Sequence, residues 1–144
     1  MSVTLDANLL LYASDEASSF HGRARSLLDE LAAGPGIVHL FWPTVMAYLR
    51  LSTHPSVFAR PLSPEDALAN VERLLGLPHL QSPGEQDRFW QAYRSVADDA
   101  AARGTLVSDA HLVALMLQNG VGTIWTHDRD YRRFSGIVVR DPFD

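Results

Sequence analysis

Short apolar segments alternate with longer stretches of helical periodicity along the whole chain, and nothing else in it restricts the fold as much. "SVTL" (2–5), "GIVHL" (36–40), "HLQSP" (79–83), "GTIWT" (122–126) and "GIVVR" (136–140) read as strands. "NLLLYA" (8–13) reads as a short helix or turn. In 18–34, Phe20, Ala24, Leu27, Leu28 and Leu31 recur at helical spacing before Gly34 and Pro35 stop the helix. A further helix is expected over 42–55, with Pro43 at its start and Pro55 past its end. Ser63, Pro64 and Asp66 give 62–76 a strong start signal, and Gly76 ends it. A helix over 84–104 is expected to bury Phe89, Trp90, Tyr93, Val96 and Ala97. One over 106–120 is expected to be capped by Ser108 and closed by Gly120, and "HDRDYRRF" (127–134) reads as a short charged helix or turn.

Such alternation predicts an α/β fold, with a central parallel sheet of four to five strands covered on both faces. The 144 residues suffice for one core, and no linker, repeat or composition break divides them, so a single domain over 1–144 is expected. The chain has no cysteine, which excludes a disulfide scaffold and a thiolate metal site. No basic segment leads into a long apolar core, and no apolar run nears the roughly 20 residues of a membrane helix. A cytoplasmic protein with no membrane partner is therefore expected. Net charge is −5, so bulk charge does not point to nucleic acid; all 12 basic residues are arginine.

One carboxylate sits in an apolar run. Asp6 interrupts "VTLDANLLLY" (3–12), where an unpaired buried charge would be costly. In an open α/β sheet, ligands bind beyond the carboxyl ends of the strands. Asp6 follows the first strand, Asp128 and Asp130 follow "TIWT", and Asp109 lies in the first turn of its helix on the face of Leu112, Val113 and Met116. All four can share one edge of one sheet. Crowded carboxylates repel one another, and a hard cation such as Mg²⁺, with Mn²⁺ as the alternative, removes that conflict and can activate water at a phosphodiester. Taken singly, each acid has a plainer reading: Asp109 as a helix N-terminal charge, Asp128 and Asp130 as surface residues of a turn.

The chain resembles PIN-domain proteins, specifically the VapC-type toxin ribonucleases of bacterial toxin–antitoxin pairs. The resemblance runs nearly end to end, on "LDANLLLYA" (5–13), "AYLRLSTHPSVFARPLSPEDAL" (47–68), "ARGTLVSDAHLVAL" (102–115) and "TIWTHDRDYRRFSGI" (123–137). It implies an α/β/α fold, Mg²⁺-dependent cleavage of single-stranded or loop RNA, with tRNA or rRNA loops as the expected targets, dimerisation and inhibition by a small VapB-like antitoxin. By position it implies Asp6, Asp109 and Asp128 as catalytic metal ligands, Asp130 as an auxiliary acid, and Asn8 and Thr126 as polar residues that orient ligands or water. One departure stands out. Many family members carry a glutamate where this chain has Ala47, and no Asp or Glu occurs between Leu31 and Pro64.

Arg129, Arg132 and Arg133 beside Asp128, and Arg50 one turn from Ala47, are candidate RNA contacts; a solvated helix face is the plainer reading of the first three. His111 and His127 flank proposed ligands but have no partner histidine at ligand spacing, and are read as packing or solvent residues. Trp42, Trp90 and Trp125 are read as core residues before base platforms. The helices at 18–33 and 63–75 could leave a groove for an antitoxin segment. A PIN module that binds RNA or antitoxin without cutting is the competing reading, favoured by Ala47. A phosphotransfer domain of the haloacid-dehalogenase type would want an aspartate where Asn8 stands, and a receiver domain would want a lysine, which the chain lacks.

Overall fold

The computed structural model describes residues 2–144. Five strands, β1 (Ser2–Leu5), β2 (Ile37–His39), β3 (Leu80–Gln81), β4 (Thr123–Trp125) and β5 (Val138–Arg140), form one sheet in the order β3-β2-β1-β4-β5. Every neighbouring pair is parallel, with Val3 opposite Val38 on one side and Thr123 on the other. Six helices connect them: α1 (Ala7–Ser14) and α2 (His21–Ala33) after β1, α3 (Trp42–Ser52) and α4 (Pro64–Leu75) after β2, and α5 (Phe89–Ala100) and α6 (Leu106–Gln118) after β3. A 3₁₀ turn, Arg129–Arg133, joins β4 to β5. The α/β class, the parallel sheet and all five strand positions agree with the sequence expectation.

Two apolar clusters hold the layers. Leu5, Leu9, Leu10, Leu27, Val45 and Val71 lie in one, beneath α1 to α4. Leu112, Val113, Met116, Ile124, Tyr131 and Phe134 lie in the other, beneath α5 and α6. Adjacent strand residues point to opposite faces. Accordingly Ile124 feeds one cluster and Trp125 packs on the other.

Some helix boundaries differ from expectation. The helix over 84–104 begins only at Phe89. Gln86 N donates to Gln118 Oε1 at 3.0 Å, which ties this segment to the end of α6, and Arg88 turns the chain with φ of 63°. Trp90 in consequence is 64% exposed, not core, and Val96 is the buried residue of α5. Ser108 does not cap α6, which starts two residues earlier at Leu106. Leu106 is drawn into the core, and Gly104, with φ of 59°, supplies the turn that lets the helix begin there. Ser63 does cap α4, accepting from Asp66 N at 3.1 Å. Trp42 is exposed at the start of α3.

Candidate active site

The sheet order places a switch point between β1 and β4, since connections run outward from there to β2 and β3 on one side and to β5 on the other. The crevice for a ligand lies at the carboxyl ends of these two strands. Asp6 follows β1 and its backbone N–H donates to Trp125 O, the last residue of β4, at 3.0 Å. This single ladder bond brings Asp6 beside Thr126, 120 residues away in sequence.

Asp6 also caps α1. Its Oδ1 accepts from Ala7 N at 2.7 Å and its Oδ2 from Thr126 Oγ1 at 2.8 Å. Thr126 is fully buried. While its O–H donates to Asp6, its oxygen accepts from Asp128 N at 2.9 Å and from Asn8 Nδ2 at 3.4 Å. Asp128 Oδ1 in turn accepts from Asp130 N at 2.9 Å, which closes the turn into the 3₁₀ segment. One hydroxyl thus links the acid after β1 to the acids after β4. Thr126→Val removes a donor from Asp6 and an acceptor from Asp128 N–H. A loss of about 1–3 kcal/mol is expected, read as a lower urea midpoint without divalent ions. An unchanged midpoint would show that the hydroxyl is not a structural link.

Asp109 enters from α6, in the first turn, with Leu112, Val113 and Met116 buried below it. One carboxylate oxygen each from Asp109, Asp128 and Asp130 lies within 4.8 Å of the others, a grouping able to hold a metal ion. Asp6 stands beside this triple and shares a cavity of about 110 Å³ with Ala47, Thr44, Asp109 and Tyr131. Burial pushes Asp109 from an ordinary 3.8 up to about 6, and the charges of Asp128, Asp6 and Asp130 push the same way. Burial also raises Asp6, with Asp128 adding to it, against the hydrogen bonds from Thr126 and Ala7. Asn8 Oδ1 is buried without a partner among the described residues. Negative charge is in excess at this edge, oxygens converge, and a hard divalent cation fits the donor set.

The other sequence candidates fall around this centre. Arg129, Arg132 and Arg133 are exposed on the 3₁₀ turn. Arg132 pairs with Asp144 at 3.6 Å and Arg133 with Asp130 at 3.9 Å. Arg50 is exposed on the last turn of α3, outside the residues that line the cavity. His111 meets Glu85 at 2.8 Å, holding that carboxyl below its usual range. His127 meets Asp141 at 2.8 Å and packs on Phe20 and Phe143. Sequence reasoning missed Tyr131. Its spacing of three from Phe134 was the available signal for a buried aromatic inside a charged motif.

No family model matches the chain. Ribonuclease VapC48 of Mycobacterium tuberculosis is 50% identical to it over 143 residues, which cover 99% of each protein. The chain belongs to the VapC ribonuclease family. Ribonuclease VapC43 of the same species is 34% identical over 140 residues, 97% of this chain and 95% of that relative. The VapC fold is also evident among solved structures. A complex described as VapBC2 from Rickettsia felis bound to a promoter DNA fragment matches with a TM-score of 0.71 and 12% identity, covering 98% of both chains. Mycobacterium tuberculosis VapC20, described as a sarcin–ricin loop cleaving toxin, matches with a TM-score of 0.67 and 17% identity, over 94% of this chain and 96% of that one. Within this VapC chain, no helix among the described residues is long and apolar enough to cross a membrane.

Proposed function

We propose that this protein is a Mg²⁺-dependent endoribonuclease, the toxin of a VapBC-type module, cutting phosphodiester bonds in the loops of tRNA or rRNA. The convergence of carboxylate oxygens at the β1–β4 switch point carries the reading. Its family membership supports the RNA substrate, and the loop-cleaving activity named for VapC20 supports a structured target. Mg²⁺ or Mn²⁺ supplies charge neutralisation and activation of water when bound.

The chain's own residues do the rest. Asp109, Asp128 and Asp130 would hold the ion through one oxygen each, with Asp6 completing the acidic wall. Thr126 holds Asp6 and the backbone of Asp128 in register. Asn8 steadies Thr126 from α1. Arg129, and Arg132 and Arg133 once released from their exposed partners, meet backbone phosphates approaching along the 3₁₀ turn; Arg50 meets them from α3. The crevice is short of bulk positive charge, so phosphate affinity is local to these arginines.

The antitoxin is a second partner. A groove of about 560 Å³ between α1, α2, α3 and α4 is lined by Leu10, Leu28, Tyr48 and Leu74, with Arg25, Arg73, Glu16 and Asp29 at its polar side. An extended or helical segment with apolar anchors and flanks carrying charges of both signs suits it. Trp42 and Met46 leave apolar surface on α3 beside the cleft, which suits a homodimer. The module works in the cytoplasm, where its RNA lies.

A non-cutting module is the second reading, and Ala47 in the wall of the cleft favours it. One experiment separates them. The purified protein should cleave ribosomal or transfer RNA with Mn²⁺, stop on chelation with EDTA, and resume when Mn²⁺ is restored. Cleavage that persists in EDTA, or that Asp6→Asn performs equally well, would sink the metal mechanism. No cleavage under any ion leaves the binding module.

A further inference from the structure

The 3₁₀ turn brings two acids and three arginines to the edge of the cleft, and one further side chain that the acidic site does not account for. Tyr131 is 3% exposed. Its ring sits in the apolar cluster beneath α5 and α6, with the Phe134 ring centroid 6.2 Å away. It nevertheless lines the cavity that Asp6, Ala47 and Asp109 share. The residue therefore has an apolar body in the core and a polar tip at the acids.

A buried phenol needs a hydrogen-bond partner for its hydroxyl. Asp109 lines the same small cavity as the phenol and is the carboxylate within its reach. Burial, with the surrounding carboxylates, drives the phenol far above its ordinary pKa, so the group is a donor and never an anion.

We propose that Tyr131 is a positioning residue, whose hydroxyl donates to one oxygen of Asp109 and leaves the other presented to Asp128 and Asp130. Asp6 has Thr126 and Ala7 N as fixed donors, and Asp128 is held by its own turn. Among the described residues Asp109, which projects from α6, has no fixed donor of that kind, and the phenol shares its cavity. A charge-assisted donor on a ligand carboxylate both orients it and favours its anionic form. Phenylalanine at this position would keep the ring and the core and delete the donor alone.

The inference rests on the acid cluster holding a divalent ion, and calorimetric titration with Mn²⁺ at about pH 8 tests both. The parent should bind Mn²⁺ in the acid cluster. Tyr131→Phe should bind it at least about tenfold more weakly, the range for loss of a partner to a ligand, with little change in melting temperature. Phe134→Leu, a change in the same aromatic pair away from the cleft, should lower the melting temperature and bind as the parent does. Equal affinity in Tyr131→Phe and the parent would overturn the positioning role and leave the ion site standing. An equal loss in Phe134→Leu would overturn it too, by making packing the cause. A parent that binds no Mn²⁺ would overturn the ion site and the positioning role together.

Discussion

Asp109→Asn lowers RNA cleavage by about a thousandfold and, with no divalent ion present, makes the protein more stable at about pH 8. The first effect follows from removing an anionic ligand: stabilisation of transition-state charge by a bound ion is worth several kcal/mol, at about 1.36 kcal/mol for each tenfold in rate. The second follows from the direction of the pKa shift. Asp109 sits at about 6 in the folded protein against an ordinary 3.8. Between those values the folded state keeps a proton that the unfolded chain has lost, so stability falls as pH rises through this window. Above it the full cost is present. The shift would give about 3 kcal/mol as an upper bound, and because the carboxyl faces an open cleft, about 1–2 kcal/mol is expected after screening. Asparagine does not ionise and avoids this cost. The gain should shrink as pH falls through 6 and vanish near 4. Urea unfolding in EDTA at the two ends of that range is the measurement, and a variant less stable than the parent at the upper end would contradict the assignment. Added Mn²⁺ should reverse the order, stabilising the parent and leaving the variant unmoved.

The stabilising substitution and the inactivating one are therefore the same, because the site concentrates like charge that only a cation relieves. Thr126, Ala7 N and the turn at Asp128 hold that charge in place. The strain is local: the apolar clusters on both sides of the sheet are complete without it.

Much of this frame was legible in the sequence, residue by residue. Four strands are short apolar segments bounded by Gly, Pro or a charged turn, and β3, with the single apolar Leu80, lies within the fifth expected segment. Asp6 stands out because its neighbours are apolar, and it is half-buried, with its carboxylate held by Ala7 N and Thr126. What stayed hidden depends on contacts distant in sequence. Ser108 looked like a cap, but Leu106 is pulled into the core and starts α6 earlier. The pattern 84–104 looked helical throughout, but Gln86 is claimed by the end of α6. Trp90 looked like core and is exposed, since the shortened helix turns it outward. In "HDRDYRRF" the charges on either side of Tyr131 read as a solvated turn, and only the packing of that turn on Phe134 and α6 reveals a buried phenol. That the four acids can share one edge follows from their places just after strands and in the first turn of a helix. That the tightest grouping is Asp109, Asp128 and Asp130, with Asp6 committed to two hydrogen bonds beside it, could come only from coordinates.

Ala47→Glu shifts the same balance in the opposite direction. Ala47 lines the cavity between Asp6 and Asp109, so a glutamate there would place another carboxylate against two whose pKa values are already raised. Without a divalent ion, the variant is expected to lose about 1–3 kcal/mol at about pH 8, since like charges in a partly buried site cannot all ionise without cost. With Mn²⁺ the same carboxylate is an additional oxygen ligand, and affinity should rise by about tenfold, equivalent to about 1.4 kcal/mol. Calorimetric titration of parent and variant, with unfolding in EDTA, reads both effects. RNA cleavage should rise most at limiting Mn²⁺ and converge with the parent at saturation, where ion occupancy no longer differs. An unchanged affinity would mean that the cavity faces away from the ion, and that the three clustered acids with Asp6 already form its whole protein shell. A gain would mean that Ala47 sets a weak site by leaving one ligand position to solvent, so that the protein's activity follows the concentration of free divalent ion.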